Sequence, residues 1–137
     1  MEHRELEKIF VDFIQNNKGY GKATIIYEAK LKSINESNSS PWRADILIID
    51  SENDEYLALV EIKASKQKKD LINELRKIER YLKEIGKEDL PFFIVSSENE
   101  GDFNIHILSE DKVKEVSKDD FPSFEVLEAK VRADAKI

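Results

Sequence analysis

The sequence predicts an α/β domain in which helices cover both faces of a mixed β-sheet. Apolar residues recur at helical spacing over residues 3–17 and 67–85, and short runs of strand-forming residues lie between and after these segments. A strand–helix–strand order across residues 55–96 implies a right-handed crossover between two parallel strands. The three earlier strands follow one another closely enough to pair antiparallel. The predicted order is helix, three strands, helix, strand, strand, helix.

The first half of the chain is predicted to form one helix and three strands. Residues 3–17 present a single apolar stripe, formed by Leu6, Ile9, Phe10, Phe13 and Ile14. Gly19 supplies the left-handed residue that helix ends favour. Residues 23–31 are rich in strand formers, and the polar segment 33–41 is predicted to be a mobile loop. Residues 43–50 and 55–64 are predicted to form a hairpin.

The second half is predicted to continue with a helix, two strands and a last helix. The strongest helical pattern covers residues 67–85 and is followed by Gly86 as a stop signal. Residues 92–96 are predicted to form a buried strand and residues 103–108 a half-exposed strand. The last helix, over residues 124–137, has no glycine or proline stop, so the chain is compatible with a fragment of a longer one. No linker divides residues 1–137, which we interpret as one domain.

The composition excludes several kinds of protein and of site. The chain is 40% hydrophobic and 37% charged, which is typical of globular proteins. No apolar stretch approaches the roughly 20 residues of a membrane helix, and the charged N-terminus does not resemble a signal peptide. The absence of cysteine excludes disulfides, a thiol nucleophile and cysteine zinc sites, and it fits a reducing cytoplasm. Glycine-rich phosphate-binding motifs are also absent.

Histidine and tryptophan are further candidates for catalysis or base stacking. The two histidines, His3 and His106, have no serine and acid set nearby that would make a hydrolase triad. His106 alternates with apolar residues and is predicted to lie on a solvated strand face. Trp42 follows a proline and is predicted to pack over the sheet rather than to stack on a base.

Two acids and a lysine lie at the ends of two apolar strands. Glu61 and Lys63 close the run 56–60, and Asp45 opens the run 46–49. Alternate residues of a strand share a face, so Glu61 and Lys63 point the same way. If the two runs pair, Asp45 lies near Glu61. Because such charges are costly to bury without partners, the pattern predicts that the three groups converge.

The converging acids suit a hard divalent cation. Mg²⁺ prefers oxygen ligands at about 2.0–2.1 Å and usually keeps several waters. Asp45, Glu61 and the backbone carbonyl of Ile62 can supply protein oxygens of that kind, to Mg²⁺ or to Mn²⁺. A lysine beside the metal can orient or deprotonate the attacking water and can stabilise charge on a phosphate. The alternative interpretation is that Lys63 only neutralises one of the two acids in a salt bridge.

Charge is distributed unevenly along a chain whose net charge is −7 and whose pI is near 5.0. Basic residues concentrate over residues 63–87, whereas the stretch after residue 98 is acidic. A basic edge beside a metal pocket can receive phosphate, and Lys66 and Lys69 are the candidates. The alternative is an ordinary solvated helix face.

Three strings in this region resemble the PD-(D/E)xK nuclease superfamily, whose fold is restriction-endonuclease-like. They are RADILIID at residues 43–50, LALVEIKAS at residues 57–65 and LINELRKIERYLKEIG at residues 71–86. The sequence is most similar to the N-terminal nuclease domain of type I restriction enzyme restriction subunits. The core order of that superfamily, αβββαβ, agrees with the order predicted above, to which an extra strand and a C-terminal helix are added.

The resemblance assigns roles to several residues. It implies that Asp45 is the metal-binding aspartate, Glu61 the second acid and Lys63 the catalytic lysine. Arg43 matches a basic residue often found just before that aspartate. Ala44 stands where proline usually precedes the aspartate, which is a mild departure.

The resemblance leaves two further positions open. An acid from the first helix often joins such sites, and Glu5 fits best, while Glu28 on the first strand is the competitor. Lys77 stands where the type I relatives carry glutamine, four residues before Tyr81. Lys77 and Tyr81 share a helix face at this spacing, so a phosphate contact is compatible with both.

The function that the resemblance implies is metal-dependent hydrolysis of DNA phosphodiester bonds, in restriction or defence. DNA and other subunits or domains of such a system are the implied partners. The alternative is a degenerate nuclease fold that binds nucleic acid or protein without cutting. The presence of Asp45, Glu61 and Lys63 favours the enzyme, because burying three charged groups costs free energy and a site without catalytic activity does not require them.

Overall fold

One six-stranded sheet organises the domain. The computed structural model describes residues 2–31, 42–63, 68–98 and 101–135. The helices are α1 (His3–Asn17), α2 (Lys68–Glu84) and α3 (Phe124–Ala135). The strands are β1 (Ala23–Ala29), β2 (Ala44–Asp50), β3 (Tyr56–Lys63), β4 (Phe92–Ser97), β5 (Phe103–Ser109) and β6 (Lys112–Val116). A single 3-10 turn, Tyr20–Lys22, joins α1 to β1.

The strands lie side by side in chain order. All neighbours are antiparallel except β3 and β4, which are parallel and are connected through α2. The predicted mixed sheet, the β2–β3 hairpin and the parallel pair are therefore confirmed. The predicted loop over residues 33–41 falls outside the described residues.

Different helices cover the two faces of the sheet. α1 and α3 pack on one face, in a core cluster that includes Phe10, Ile14, Val60, Ile62 and Leu127. α2 packs on the other face, in a cluster that includes Leu47, Leu59, Leu75, Ile78 and Ile94. Because β2 and β3 contribute to both clusters, their sequences are almost continuously apolar. Each such buried side chain contributes about 1.5–3 kcal/mol, so these strands are a rigid support for the groups at their ends.

β6 is the element that the sequence prediction missed. Its residues, KVKEV, are mostly charged and half-exposed or exposed, as is common for an edge strand. The β5–β6 connection is a two-residue turn at Glu110 and Asp111, whose φ angles are 50° and 64°. Such turns usually contain Asn-Gly or Asp-Gly, so the Glu-Asp pair gave no turn signal. Within the described ranges, no helix is long and apolar enough to cross a membrane.

Candidate active site

Asp45 and Glu61 face each other where the ladder between β2 and β3 ends. The register pairs Ile46 with Val60, and its continuation places Asp45 opposite Glu61. The backbone N–H of Asp45 donates to Glu61 Oε1 at 2.9 Å, and the N–H of Ile62 donates to Asp45 Oδ2 at 2.8 Å. Side-chain carboxylates thus take the place of backbone carbonyls as acceptors. The predicted proximity of the two acids is confirmed, and each is fixed by the opposite strand.

The Glu61 carboxyl group lies in an environment that disfavours its negative charge. Glu61 is only 6% exposed. Burial raises the pKa of Glu61 well above its usual value, and the neighbouring Asp45 carboxyl and the more distant Glu74 raise the pKa further. The arrangement therefore favours a bound positive charge, either a proton or a cation, between the acids.

The donor set is compatible with a divalent cation. Asp45 Oδ1 and Glu61 Oε2 are not used in the two backbone hydrogen bonds that fix the carboxylates. No group of three His, Cys, Asp or Glu side chains within the described ranges is arranged to hold a metal ion. Two carboxylates and the Ile62 carbonyl leave the other positions of an octahedral ion to water, which suits Mg²⁺ and Mn²⁺ better than a metal that needs an all-protein cage.

His3 and Glu7 bring the start of α1 to the same place. His3 Nε2 lies 3.7 Å from Asp45 Oδ1 and 3.6 Å from Glu7 Oε2. Partial burial raises the pKa of Glu7, the nearby His3 opposes this, and Asp45 and Glu28 raise it. Glu7 is therefore the α1 acid that the structure brings within electrostatic reach of Asp45.

The structure does not bring Glu5 to the site. Glu5 is exposed, and it lies about 200° around the helix axis from Glu7. Among the described residues, no hydrogen bond or ion pair links Glu5 to Asp45, so the role of Glu5 stays a prediction, and Glu7 is the α1 acid that interacts electrostatically with Asp45. Glu28, the alternative candidate for the additional acid, lies on β1 opposite Asp45. The flanking residues pair regularly, Tyr27 with Ile46 and Ala29 with Ala44. The φ of Glu28 is 50°, and the regular pairing is interrupted at this residue.

Lys63 contacts an acid that the sequence prediction did not include. Its Nζ lies 3.7 Å from Glu74 Oε1, and the Glu74 side chain, on α2, is only 18% exposed. The ion pair of Lys63 within the described ranges is thus with Glu74 rather than with Asp45 or Glu61. Glu74 precedes Lys77 by three residues and Tyr81 by seven and so lies on the helix face they share, but helical spacing alone does not show that this face meets Lys63.

The basic residues predicted to contact nucleic acid are exposed where the structure describes them. Lys69 and Lys77 are exposed on α2, and Lys66 lies outside the described residues. Arg43 is exposed and donates from its guanidinium to the backbone carbonyl of Glu28 at 3.3 Å, the residue that lies opposite Asp45 on β1.

Tyr81 does not fit the predicted phosphate contact. It is 8% exposed, and its buried hydroxyl has no hydrogen-bond partner within the described ranges. Its ring packs against Trp42 at a centroid distance of 4.5 Å. The sequence placed Tyr81 on the face of Lys77 correctly but did not reveal that the side chain turns into the core. The prediction that Trp42 packs over the sheet is confirmed.

His106 is also buried, contrary to the prediction of a solvated position. It is 7% exposed, and its Nε2 lies 2.7 Å from the Oγ of the fully buried Ser96. His106 lies on the opposite strand face from its apolar neighbour Ile105, as the alternation predicts. That face is not solvated, because it is covered by α2, which packs against β4, β5 and β6. Ser96 is the ladder partner of Lys63.

Among the described residues, the cavities described below lie away from the acid pair. A groove of about 870 Å³ at the opposite end of β2 and β3 contains Ile49, Tyr56 and Pro91 among its lining residues, and none of the candidate site residues. A smaller cavity of about 260 Å³ lies between α1 and β1 and includes Glu7 and Tyr27. The candidate site is thus defined by its chemistry and not by the larger cavity.

Comparison with known proteins gives one family and one structural relative. The sequence model of the family described as "Type I restriction enzyme R protein N terminus" matches residues 4–122. A solved structure of the type IIG restriction endonuclease BpuSI aligns with a TM-score of 0.46 and 14% identity. The alignment covers 80% of this chain and 12% of that chain, so the chain spans a small part of that enzyme's length. No curated protein matches the chain.

Proposed function

Because the chain belongs to the family of type I restriction enzyme R protein N-terminal regions, we propose that it is a nuclease domain that hydrolyses DNA phosphodiester bonds with Mg²⁺ or Mn²⁺. The family itself supports a nuclease-like role. The main support for a metal-dependent nuclease is a pair of hydrogen bonds between β2 and β3. In each of them, a backbone N–H of one strand donates to the carboxylate, Asp45 or Glu61, of the other strand. These bonds hold two carboxylates face to face at the buried Glu61, where a bound cation would offset the repulsion between the two negative charges.

In this proposal, each residue of the site has a distinct role. Asp45, Glu61 and the carbonyl of Ile62 bind the cation, which when bound supplies positive charge at the phosphate and lowers the pKa of a coordinated water. Lys63 lies on the strand face of Glu61, from which its ammonium group can contact a phosphate oxygen or the attacking water. Arg43, Lys69 and Lys77 contribute exposed positive charge that can bind the DNA backbone.

The reaction that this arrangement suits is hydrolysis at phosphorus. A water oxygen bonds to phosphorus, the bond from phosphorus to the leaving sugar oxygen breaks, and the proton lost by the water is balanced by one gained by the leaving oxygen. The acids of the site hold positive charge near the phosphate, while Lys63 orients the water or stabilises the added negative charge.

Two features favour the alternative of a binding module that does not cut. The described residues supply no group of three metal-ligating side chains, and the Lys63 amine is already paired with Glu74. A nuclease assay separates the two functions. The 137-residue chain is incubated with single-stranded, double-stranded and branched DNA, with Mg²⁺, with Mn²⁺ or with EDTA.

Three variants sharpen this assay. Asp45→Asn and Glu61→Gln keep an oxygen that can accept the backbone hydrogen bond and remove only the charge, while Asp89→Asn changes an exposed acid far from the site. We expect cleavage that requires the metal, is lost in the first two variants and is retained in the third. Absence of cleavage by the unmodified chain on every substrate, with binding retained, would make the binding module the better account.

A further inference from the structure

The Lys63–Glu74 contact joins β3 to α2 at the edge of the candidate site. We propose that Glu74 is a positioning residue that holds the Lys63 ammonium group beside the acid pair for the hydrolytic step. This inference rests on the proposed nuclease function and adds a residue to it. Neither the strand pattern nor the superfamily resemblance singles out Glu74.

Lys63 needs such a partner because its position alone does not fix its amine. The residue ends β3, and its side chain is 42% exposed. A lysine side chain has four rotatable bonds, so an unpaired ammonium at this exposure samples many positions. The 3.7 Å contact with Glu74 Oε1 restricts this sampling to one side of the strand end.

Glu74 is suited to this role by its own surroundings. It lies on α2 next to Leu75, a fully buried core residue, so its backbone is anchored by the packing of the helix. Its side chain is mostly buried, and its charge acts on the Glu61 carboxyl. α2 packs on the sheet face that carries Leu59, and Glu61 and Lys63 lie on that same face by strand alternation. Glu74 therefore holds the ammonium group on the face that carries Glu61.

Two other roles for Glu74 make different predictions. If the ion pair only ties α2 to the sheet, removing it lowers the melting temperature and leaves turnover unchanged. If Glu74 itself helps to hold the cation, removing it raises the Mg²⁺ concentration needed for half-maximal activity. A positioning residue instead affects kcat at saturating Mg²⁺ and DNA, while KM and the Mg²⁺ requirement stay nearly constant.

The test compares Glu74→Gln with Glu79→Gln in the 137-residue chain. Both changes remove one negative charge from α2, but Glu79 is exposed and makes no ion pair within the described ranges. We expect Glu74→Gln to lower kcat by about 10- to 100-fold, as small misplacements of a reacting group do. KM and the half-saturating Mg²⁺ concentration should change less than about twofold, and Glu79→Gln should be unaffected.

A second measurement tests the Lys63–Glu74 ion pair through stability and does not depend on catalytic activity. Melting temperatures of wild type, Lys63→Met, Glu74→Gln and the double variant form a double-mutant cycle, and a non-additive result shows that the pair exists in solution. Unchanged kcat in Glu74→Gln, or a large rise in its Mg²⁺ requirement, overturns the positioning role while leaving the nuclease intact. Failure of the wild type to cut any DNA instead overturns the proposed function, and the positioning role with it.

Discussion

Asp45 and Glu61 are held by each other's strands: Glu61 accepts the N–H of Asp45, and Asp45 accepts the N–H of Ile62, the residue after Glu61. This exchange fixes both carboxyl groups before any ligand arrives. Under the proposed function, this arrangement is preorganised for a cation, and in the absence of a cation the two acids repel each other.

The first prediction concerns that cost. In EDTA, Glu61→Gln should raise the free energy of unfolding by about 1 kcal/mol, roughly the value of one pKa unit, because the amide keeps the hydrogen bond and removes the repulsion. Asp45→Asn should also raise the free energy of unfolding, since it relieves the same repulsion. Adding Mg²⁺ should stabilise the wild type, since a ligand that binds only the folded state does so, and should not stabilise the variants. Urea unfolding with and without Mg²⁺ measures both effects. Variants that are less stable in EDTA and still respond to Mg²⁺ would contradict it.

The second prediction concerns pH in the absence of metal. The pKa of Glu61 is raised in the folded protein from an ordinary value of 4.5, chiefly by burial and then by Asp45. The folded state therefore binds more protons than the unfolded state above this value, and stability should fall as the pH rises from about 5 to 8. Glu61→Gln should have a flatter profile over the same range. Urea unfolding in EDTA at several pH values checks this, and parallel profiles would show that Glu61 does not titrate in this way.

The third prediction concerns the basic side of α2. Lys69 and Lys77 are exposed, so replacing both with glutamate should weaken DNA binding for all sequences alike. The slope of log K for DNA binding against log salt concentration should become less negative by about 2 if both lysines contact phosphates. Fluorescence anisotropy in a Lys63→Ala background measures binding without cleavage. Lys112→Glu with Lys114→Glu on β6 changes the net charge equally and is the control. If both double variants lose the same DNA affinity, the effect is due to net charge and not to a binding surface on α2.

The fourth prediction concerns Tyr81. Its buried hydroxyl has no partner within the described ranges, so Tyr81→Phe should change the free energy of unfolding by 0 to about 1 kcal/mol in the stabilising direction. Cleavage and DNA affinity should stay within about twofold of the wild type, well below the tenfold that 1.4 kcal/mol represents. Melting curves and the nuclease assay measure these quantities. A strong loss of cleavage with normal stability would show that the hydroxyl does reach the substrate.

The sequence predicts those features that local spacing determines. Asp45 and Glu61 stand at the ends of apolar runs that pair in a hairpin, and the register then places them face to face. The involvement of Glu74 depends on how α2 is rotated and placed over the sheet, which the helix pattern alone does not determine. Glu7 was not among the predicted acids, because two residues along a helix turn a side chain by about 200°, and only the placement of α1 over the sheet shows which acid interacts with Asp45.

Other differences arise from packing at a distance along the chain. His106 lies on the strand face that α2 covers, and the alternation within β5 does not say which face has a cover. Tyr81 is buried by its contact with Trp42, a residue far away in sequence. β6 has little apolar content of its own and pairs through a turn without glycine.

The most direct measurement of the central claim uses Lys63→Ala and separates the chemical step from metal binding. The acids are proposed to hold the cation and Lys63 to act on the water or the phosphate. Cleavage at saturating Mn²⁺ should therefore be abolished in Lys63→Ala, while isothermal titration should still detect Mn²⁺ binding that Asp45→Asn lacks. Cleavage by Lys63→Ala at the wild-type rate would mean that Lys63 is only the ion-pair partner of Glu74, and the proposed mechanism would be wrong.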